Sequence, residues 1–307
     1  MGMYTNDLDN YFMKYTKMSN GLKLYPIQIF DYEYYKKIAD KYIVLDINSR
    51  NNLIKQQYEE LKINNAIDKN TKVELLKYSD LHDMIIDILK QQISLCENID
   101  IIEENKENKN IPKDLLSQIK LLKSNNEIND LIDLFKKVTK CDTIYVKGSS
   151  FFICFKDEGK EYKINRKLFK EFRNIVMEQN LFFEPIIAPN LESQSYIDME
   201  IRHRNGDDSE YSLESLVCFV TINSNKDVSN YTYYRLKADY SMLLKTMYYN
   251  NISIFIANGC KNENGSNIEY PNLLEPLKVS DNPYDVNNFF RDSKLTKFEK
   301  DVLEGKI

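Results

Sequence analysis

One stretch, residues 143–180, places strand, turn, strand and helix signals directly after one another. Residues 150–156 are aromatic and β-rich, and residues 161–164 alternate polar and apolar side chains, as strands do. Gly159 lies in the polar turn between them and can adopt a positive φ. Asn165 is a suitable N-cap, and apolar residues follow it at helical spacing. The order predicts a β-hairpin that leads into an amphipathic helix.

The remainder of the chain is dominated by helical periodicity. It has 307 residues but only 8 glycines and 7 prolines, so few positions interrupt a helix. We therefore predict a mainly α fold with a β-hairpin, of the α+β class, with a core that resembles a helical bundle. An alternative is a small sheet that also includes residues 25–29, where Pro26 favours extended backbone.

Changes in the predicted secondary structure along the sequence suggest that the chain has four parts. Thr71 and Glu74 have the spacing of a capping box and predict the start of a helix within a block that is helical almost throughout. This block lies between the N-terminal helices and the hairpin, which suggests a helical insertion. The predicted parts are 1–63, an extended segment and helices; 64–140, the helical insertion; 141–260, the hairpin and helical core; and 261–307, a loop and peripheral C-terminal tail.

Two helices near the C-terminal end have contrasting patterns. Residues 213–221, capped by Ser212, are apolar around almost the whole helix, which predicts that it is central and buried. A longer helix is predicted from Tyr233 to about Tyr249, and the alternative is that it continues to Asn258 and stops at Gly259. Tyrosines are frequent along it, and packing explains them better than stacking on single-stranded nucleic acid, because few basic residues accompany them.

Charge and cysteine usage exclude several classes of function. The net charge is −5 and no basic block is present, so we predict no nucleic-acid partner. No apolar run approaches the roughly 18–20 residues that span a bilayer, so no membrane association is expected. The five cysteines lie far apart without a C-x-x-C pair, a pattern typical of reduced, buried thiols in a cytosolic protein.

Motifs for catalysis are scarce. Two separated histidines and dispersed cysteines do not supply a zinc site or a nucleophile with its base, and no Gly-rich phosphate loop is present. We therefore predict no enzyme activity, no catalytic residue, no metal and no cofactor. One alternative is a metal-dependent nuclease that uses Asp142, Asp157, Glu158 and Lys160. The competing interpretation is a solvated hairpin turn, which Gly159 favours.

Three segments, Leu24–Tyr32, Phe169–Asn180 and Ser212–Val220, together resemble the tail assembly chaperones of tailed phages and prophages of low-GC Gram-positive bacteria. The extended segment Leu24–Tyr32 leads into a helix, as at the start of that family. Phe169–Asn180 is similar to its F-x-x-[IL]-R-x-I-I-x-x-Q-N helix. Ser212–Val220 resembles its S-L-E-x-x-[IV] helix, which a polar loop and a further helix follow. The resemblance covers Leu24–Leu45 and Thr143–Gly259, and the order of the segments carries it.

The resemblance implies a non-enzymatic protein of the host bacterial cytoplasm. Such a chaperone binds the phage tape-measure protein, keeps it soluble during tail assembly, and could also contact the tail tube protein or form a homo-oligomer. A structural component of the tail or neck is the alternative function. An apolar partner helix needs an apolar surface that the chain's own core leaves free. The candidate partner-binding residues are Tyr233, Tyr240, Met247, Tyr248, Leu81, Ile85 and Ile88.

Overall fold

The structure, a computed structural model, confirms a mainly α chain that carries a small antiparallel sheet. Part of the predicted insertion, most of the predicted tail and the hairpin residue Glu158 lie outside the described residues. The described residues are 4–68, 70–104, 129–147, 152–157, 159–205, 211–262 and 265–275, with the single residues 277, 279, 282 and 284.

The N-terminal half begins with short elements and continues into longer helices. Strands β1 and β2 form a two-stranded hairpin, and a π-helical segment, Asp40–Val44, directly follows α2. The elements in this half are α1 (Asp7–Tyr11), β1 (Thr16–Lys17), β2 (Lys23–Leu24), α2 (Ile29–Ala39), α3 (Ile47–Ile63), α4 (Leu81–Glu104) and α5 (Asp130–Thr139).

The predicted hairpin is present but belongs to a three-stranded sheet. Strands β3 (Thr143–Lys147), β4 (Phe152–Asp157) and β5 (Lys160–Ile164) pair antiparallel in that order. Gly159 makes the tight turn with φ +83°, a conformation that side chains disfavour. Asn165 then caps the next helix, since its Oδ1 accepts the Leu168 N–H at 3.0 Å. The four helices that follow are α6 (Arg166–Asn180), α7 (Leu191–Asn205), α8 (Leu213–Ser224) and α9 (Tyr233–Ala257).

The capping box predicted at Thr71 does not start a helix. Residues 71–78 are irregular, and α4 begins ten residues after Thr71, at Leu81. The Leu76 N–H donates to Asn51 Oδ1 at 2.9 Å, which ties this segment to α3 instead of to a helical turn. Asp80 provides the cap, because its Oδ1 accepts the Asp83 N–H at 3.0 Å. Tertiary contacts thus override a local signal.

The described part of the predicted helical insertion does not pack as a separate unit. Its buried side chains, among them Ile85 and Phe135, belong to the same hydrophobic cluster as the N-terminal segment, the sheet and α6. Four aromatic rings lie at the centre of this cluster, from α5, from β4 and from α6: Phe135, Phe155, Phe169 and Phe172. We refer to this cluster as the main core.

The end of α6 holds the N-terminal segment in place. Asn180 Oδ1 accepts the Ile27 N–H at 2.7 Å, and its carbonyl accepts the Tyr32 hydroxyl at 3.0 Å. Gln179 Nε2 donates to the Leu24 carbonyl at 3.2 Å, and Glu178 accepts the Thr5 N–H at 3.0 Å. Two of the three segments that suggested the family resemblance are therefore bonded to each other.

The extended residues after Leu24 do not join the three-stranded sheet. The Tyr25 N–H donates to the Val138 carbonyl at the end of α5, at 2.7 Å. Gln28 forms an isolated antiparallel bridge with Thr232, just before α9. This segment therefore connects α5, α6 and the start of α9, and the alternative of a sheet that includes it is not observed.

Candidate functional site

Helices α8 and α9 form a hairpin of two helices of unequal length. Helix α8 has 12 residues and α9 has 25, which correspond to about 18 Å and about 37 Å. Ser212 caps α8 as predicted, and Thr232 caps α9 by accepting the Arg235 N–H at 3.3 Å. Since the connection between the helices is short, they run antiparallel, and α8 can cover only about half of α9.

The first half of α9 packs against α8 through a regular seam. Leu236, Tyr240 and Leu243 follow one another at spacings of four and three, so they share one face of the helix. They pack in a cluster with the buried Leu216 and Val220 of α8. The Tyr240 ring also lies edge-on to Phe219, with 5.1 Å between ring centroids.

The same face of α9 continues beyond α8 and carries further apolar side chains. Met247 follows Leu243 by four residues, and Ile254 follows Met247 by seven, with Asn250 and Asn251 at the seam positions between them. Within the described part of the chain these side chains are exposed. We call this surface the α9 stripe: Leu244 (41% exposed), Met247 (37%), Tyr248 (57%), Ile254 (59%) and Phe255 (51%).

The opposite side of α9 is partly covered by the chain that follows it. The rings of Tyr249 and Tyr270 lie 5.0 Å apart between centroids. Lys245 Nζ donates to the Glu275 carbonyl at 2.8 Å. This returning segment contacts a side of α9 that is rotated away from the α9 stripe, because residues 245 and 249 are one turn apart on another face.

Helix α8 is peripheral, which corrects the prediction that it is buried at the centre. Only Leu216 and Val220 are buried, whereas Ile222 is 78% exposed. Cys218 on α8 is also exposed, as is Cys260, so the expectation that all thiols are buried is wrong for these two. The helix is apolar around its circumference, yet it contacts neighbours on one face only.

The candidate partner-binding residues divide into an accessible group and a buried group. Met247 and Tyr248 are exposed in the α9 stripe. Tyr233 faces inward and stacks on Tyr32 with 4.4 Å between centroids, and Tyr240 belongs to the seam with α8.

The second candidate surface, on α4, is largely buried by the chain itself. Leu81 and Ile85 are buried in the main core, and Ile88 packs against it. This corrects the expectation that they are free for a partner. Sequence reasoning missed Leu244, Ile254 and Phe255, although the continued three-and-four spacing after Leu243 could have identified them.

The hairpin acids are the residues of the nuclease alternative. Asp157 ends β4 and pairs in register with Lys160 at the start of β5. Asp142 is exposed directly before β3, and Glu158 lies outside the described residues. Among the described residues, the group of side chains that could hold a metal ion is elsewhere, at Asp80, His82 and Asp83.

This acidic group is already paired with an arginine. Arg166 Nη2 contacts Asp83 Oδ2 at 2.7 Å, and its Nε contacts Asp80. His82 is 2% exposed and its ring lies 5.5 Å from that of Phe169. Because the guanidinium neutralises the carboxylates that a cation would need, the arrangement is typical of an ion-pair network that fixes the start of α4.

The buried His82 predicts a loss of stability in mild acid. Burial lowers the pKa of His82, against the opposing influence of Asp80 and Asp83. Between that lowered pKa and about 6.5, the unfolded chain binds the additional proton, so the free energy of unfolding falls as the pH falls. Urea titrations from pH 7 to pH 5 should show this slope, at most about 1.4 kcal/mol per pH unit.

The matched variants are H82Q and H203Q, which each remove one of the two histidines. The slope between pH 6.5 and pH 5 should decrease in H82Q and persist in H203Q. If H82Q leaves this slope unchanged, a group other than His82 controls the pH dependence of the free energy of unfolding. Asp83 does not interfere in this window, because the lowered pKa of Asp83 places its own contribution in stronger acid.

Two further findings bear on function. Among the described residues, no helix combines the length and apolar character needed to cross a bilayer. Comparison of the chain with protein-family models, curated proteins and solved structures finds no match.

Proposed function

We propose that this protein is a non-enzymatic phage tail assembly chaperone that binds an apolar helix of the tape-measure protein and keeps it soluble. The observation that supports the proposal is the α9 stripe. It extends the seam on which α8 packs, but α8 ends before reaching it. A surface that binds a helix along its first half has the side-chain spacing to bind another helix along its second half.

The size and chemistry of the α9 stripe suit a helical partner. From Leu244 to the end of α9 there are 14 residues, which give a contact length of about 20 Å. Met247 can adapt its shape to differing side chains, and Tyr248 offers a large contact area with few rotatable bonds. Such a surface suits a partner whose apolar stripe varies along its length, as expected for a long tape-measure helix.

The experiment is co-expression with the tape-measure protein encoded by the same phage or prophage. The wild-type chain should raise the soluble yield of the tape measure, and the two should elute together. Since the contact is apolar, the complex should persist at about 0.5 M salt, where charge pairs are strongly screened. The double variant M247D/F255D places two charges in the contact and should reduce complex recovery about tenfold or more.

The matched control is T246D/S253D, which adds the same charge on the other side of α9, at the exposed Thr246 and the half-buried Ser253. It should retain the complex. If the tape measure stays equally soluble with and without this chain, and no complex elutes, the chaperone function is wrong. If this protein instead copurifies with mature phage particles, the alternative function, a structural component of the tail or neck, is the correct one.

A further inference from the structure

A cleft lies between the N-terminal segment, the end of α5 and the start of α9. Its volume is about 480 Å³, within the range of small-molecule sites. The cleft is separate from the α9 stripe, since no residue of the stripe lines it. Residues far apart in sequence form it, including Phe12, Tyr25, Lys136 and Thr232.

The charge of the cleft is opposite to that of the whole chain. Three lysines line it, Lys136, Lys137 and Lys140, and no acidic side chain does. Lys137 is paired with Asp31. Lys136 and Lys140 are exposed, and no direct ion pair to either occurs among the described residues, although Asp133 on the same helix interacts with the charge of Lys136. The two ammonium groups belong to the last turn of α5 and to its C-cap. Thr232, the N-cap of α9, adds the positive end of a long helix dipole.

The facing wall of the cleft is aromatic and apolar. Phe12, Met13, Tyr25 and Pro26 form this side, and Phe12 is 57% exposed. The Lys140 ammonium lies 4.0 Å from the centroid of the Tyr25 ring, which brings the charge against the aromatic wall. A ligand in the cleft would therefore contact the ammonium groups of Lys136 and Lys140, the second of which lies over Tyr25, together with the exposed ring of Phe12.

Lysines at the C-terminal end of a helix have an ordinary explanation, because they offset the negative end of its dipole. That explanation accounts for their position on α5. It does not account for an open cleft between them and an exposed aromatic wall, nor for the absence of acidic residues from the lining. These two features together indicate a ligand.

We propose that this cleft binds an oxyanion, a phosphate or a carboxylate, carried by a flat aromatic group. Lys136 and Lys140 donate charge-assisted hydrogen bonds to the oxyanion, and Phe12 and Tyr25 contact the ring. The site goes beyond the proposed function, because it uses none of the residues that contact the partner helix.

The probes are phenyl phosphate, benzoate, inorganic phosphate and phenol, titrated into the full-length protein by calorimetry. Phenyl phosphate should bind more tightly than inorganic phosphate or phenol, since it uses both walls. The variant K136Q/K140Q should weaken phenyl phosphate about tenfold or more, the size expected for losing charge-assisted hydrogen bonds. The control K167Q/K170Q removes two exposed lysines from α6 and should bind as the wild type does.

A second variant tests the aromatic wall independently. F12S should weaken phenyl phosphate but leave inorganic phosphate unchanged, which a general loss of folding would not do. Tighter binding of phenyl phosphate than of benzoate assigns a phosphate as the oxyanion, and tighter binding of benzoate assigns a carboxylate. The proposal is overturned if no probe binds saturably, or if K136Q/K140Q and K167Q/K170Q bind phenyl phosphate equally.

Discussion

Replacing Phe172 by alanine should lower the free energy of unfolding by about 3–5 kcal/mol. Its ring is fully buried at the centre of the main core. It lies edge-on to Phe135 at 5.1 Å between centroids and stacks with Phe155 at 5.8 Å. Because these neighbours come from α5 and β4, alanine would leave a cavity between three elements, and none of them can close it alone.

A urea titration at neutral pH measures this loss. The control is F30A, since Phe30 is 80% exposed on α2, and we expect a change within about 0.5 kcal/mol. The dependence on urea concentration should be the same in both variants, which would show that the unfolding transition is unchanged. A loss below about 1 kcal/mol in F172A would place Phe172 outside the main core.

Replacing Arg173 by alanine should cost about 3 kcal/mol, because it removes one partner from a largely buried ion pair. Arg173 Nη2 contacts Glu184 at 2.6 Å, and its Nε donates to the Ile43 carbonyl at 2.7 Å. The same guanidinium also bonds the Val44 carbonyl. Ile43 and Val44 end the π-helical segment, where carbonyls lack partners within the helix.

Glu184 extends this contact to the next helix. It accepts the Asp46 N–H at 2.8 Å and the Ser49 hydroxyl at 3.1 Å, at the start of α3. Arg173 therefore fixes the junction between the π-helical segment and α3 from the side of α6. The double variant R173A/E184A should cost less than the sum of the two single variants, since the pair is coupled.

The matched control for R173A is R166A. Arg166 binds Asp80 and Asp83, but its side chain is largely exposed, so its removal should shift the urea midpoint much less. If R166A and R173A were equally destabilising, the junction would not depend on buried hydrogen bonds in the way that the structure indicates.

Local signals in the sequence were sufficient to predict those elements whose structure is determined by short-range contacts. The turn at Gly159, the cap at Asn165 and the spacing of α6 all act within a few residues, and the structure confirms each of them. The helix start predicted from the Thr71 capping box is absent because the Leu76 N–H donates to Asn51, which is distant in the sequence. Propensity describes what a segment favours alone, and it cannot include such a partner.

Prediction of the candidate site was limited in the same way, because it also depends on contacts between residues that are distant in the sequence. The pattern of α8 correctly predicts a helix, but periodicity cannot tell which apolar faces find a neighbour, so Cys218 was expected to be buried although it is exposed. The α9 stripe was partly predicted, through Met247 and Tyr248, because it continues a spacing visible in the sequence. The lysine-lined cleft was not predicted. Its walls come from residues 12–28, 136–140 and 230–232, which only the fold brings together.

The bonds between the N-terminal segment and the end of α6 also determine when this protein can fold during translation. Tyr4 and Glu178 are joined by a hydrogen bond across 174 positions of sequence. The Ile27 N–H likewise donates to Asn180, which lies 153 residues later in the sequence. Tyr4 and Ile27 are thus synthesised long before the residues that bind them, and contacts of such high order slow folding. The N-terminal segment therefore cannot complete these hydrogen bonds until α6 has been synthesised.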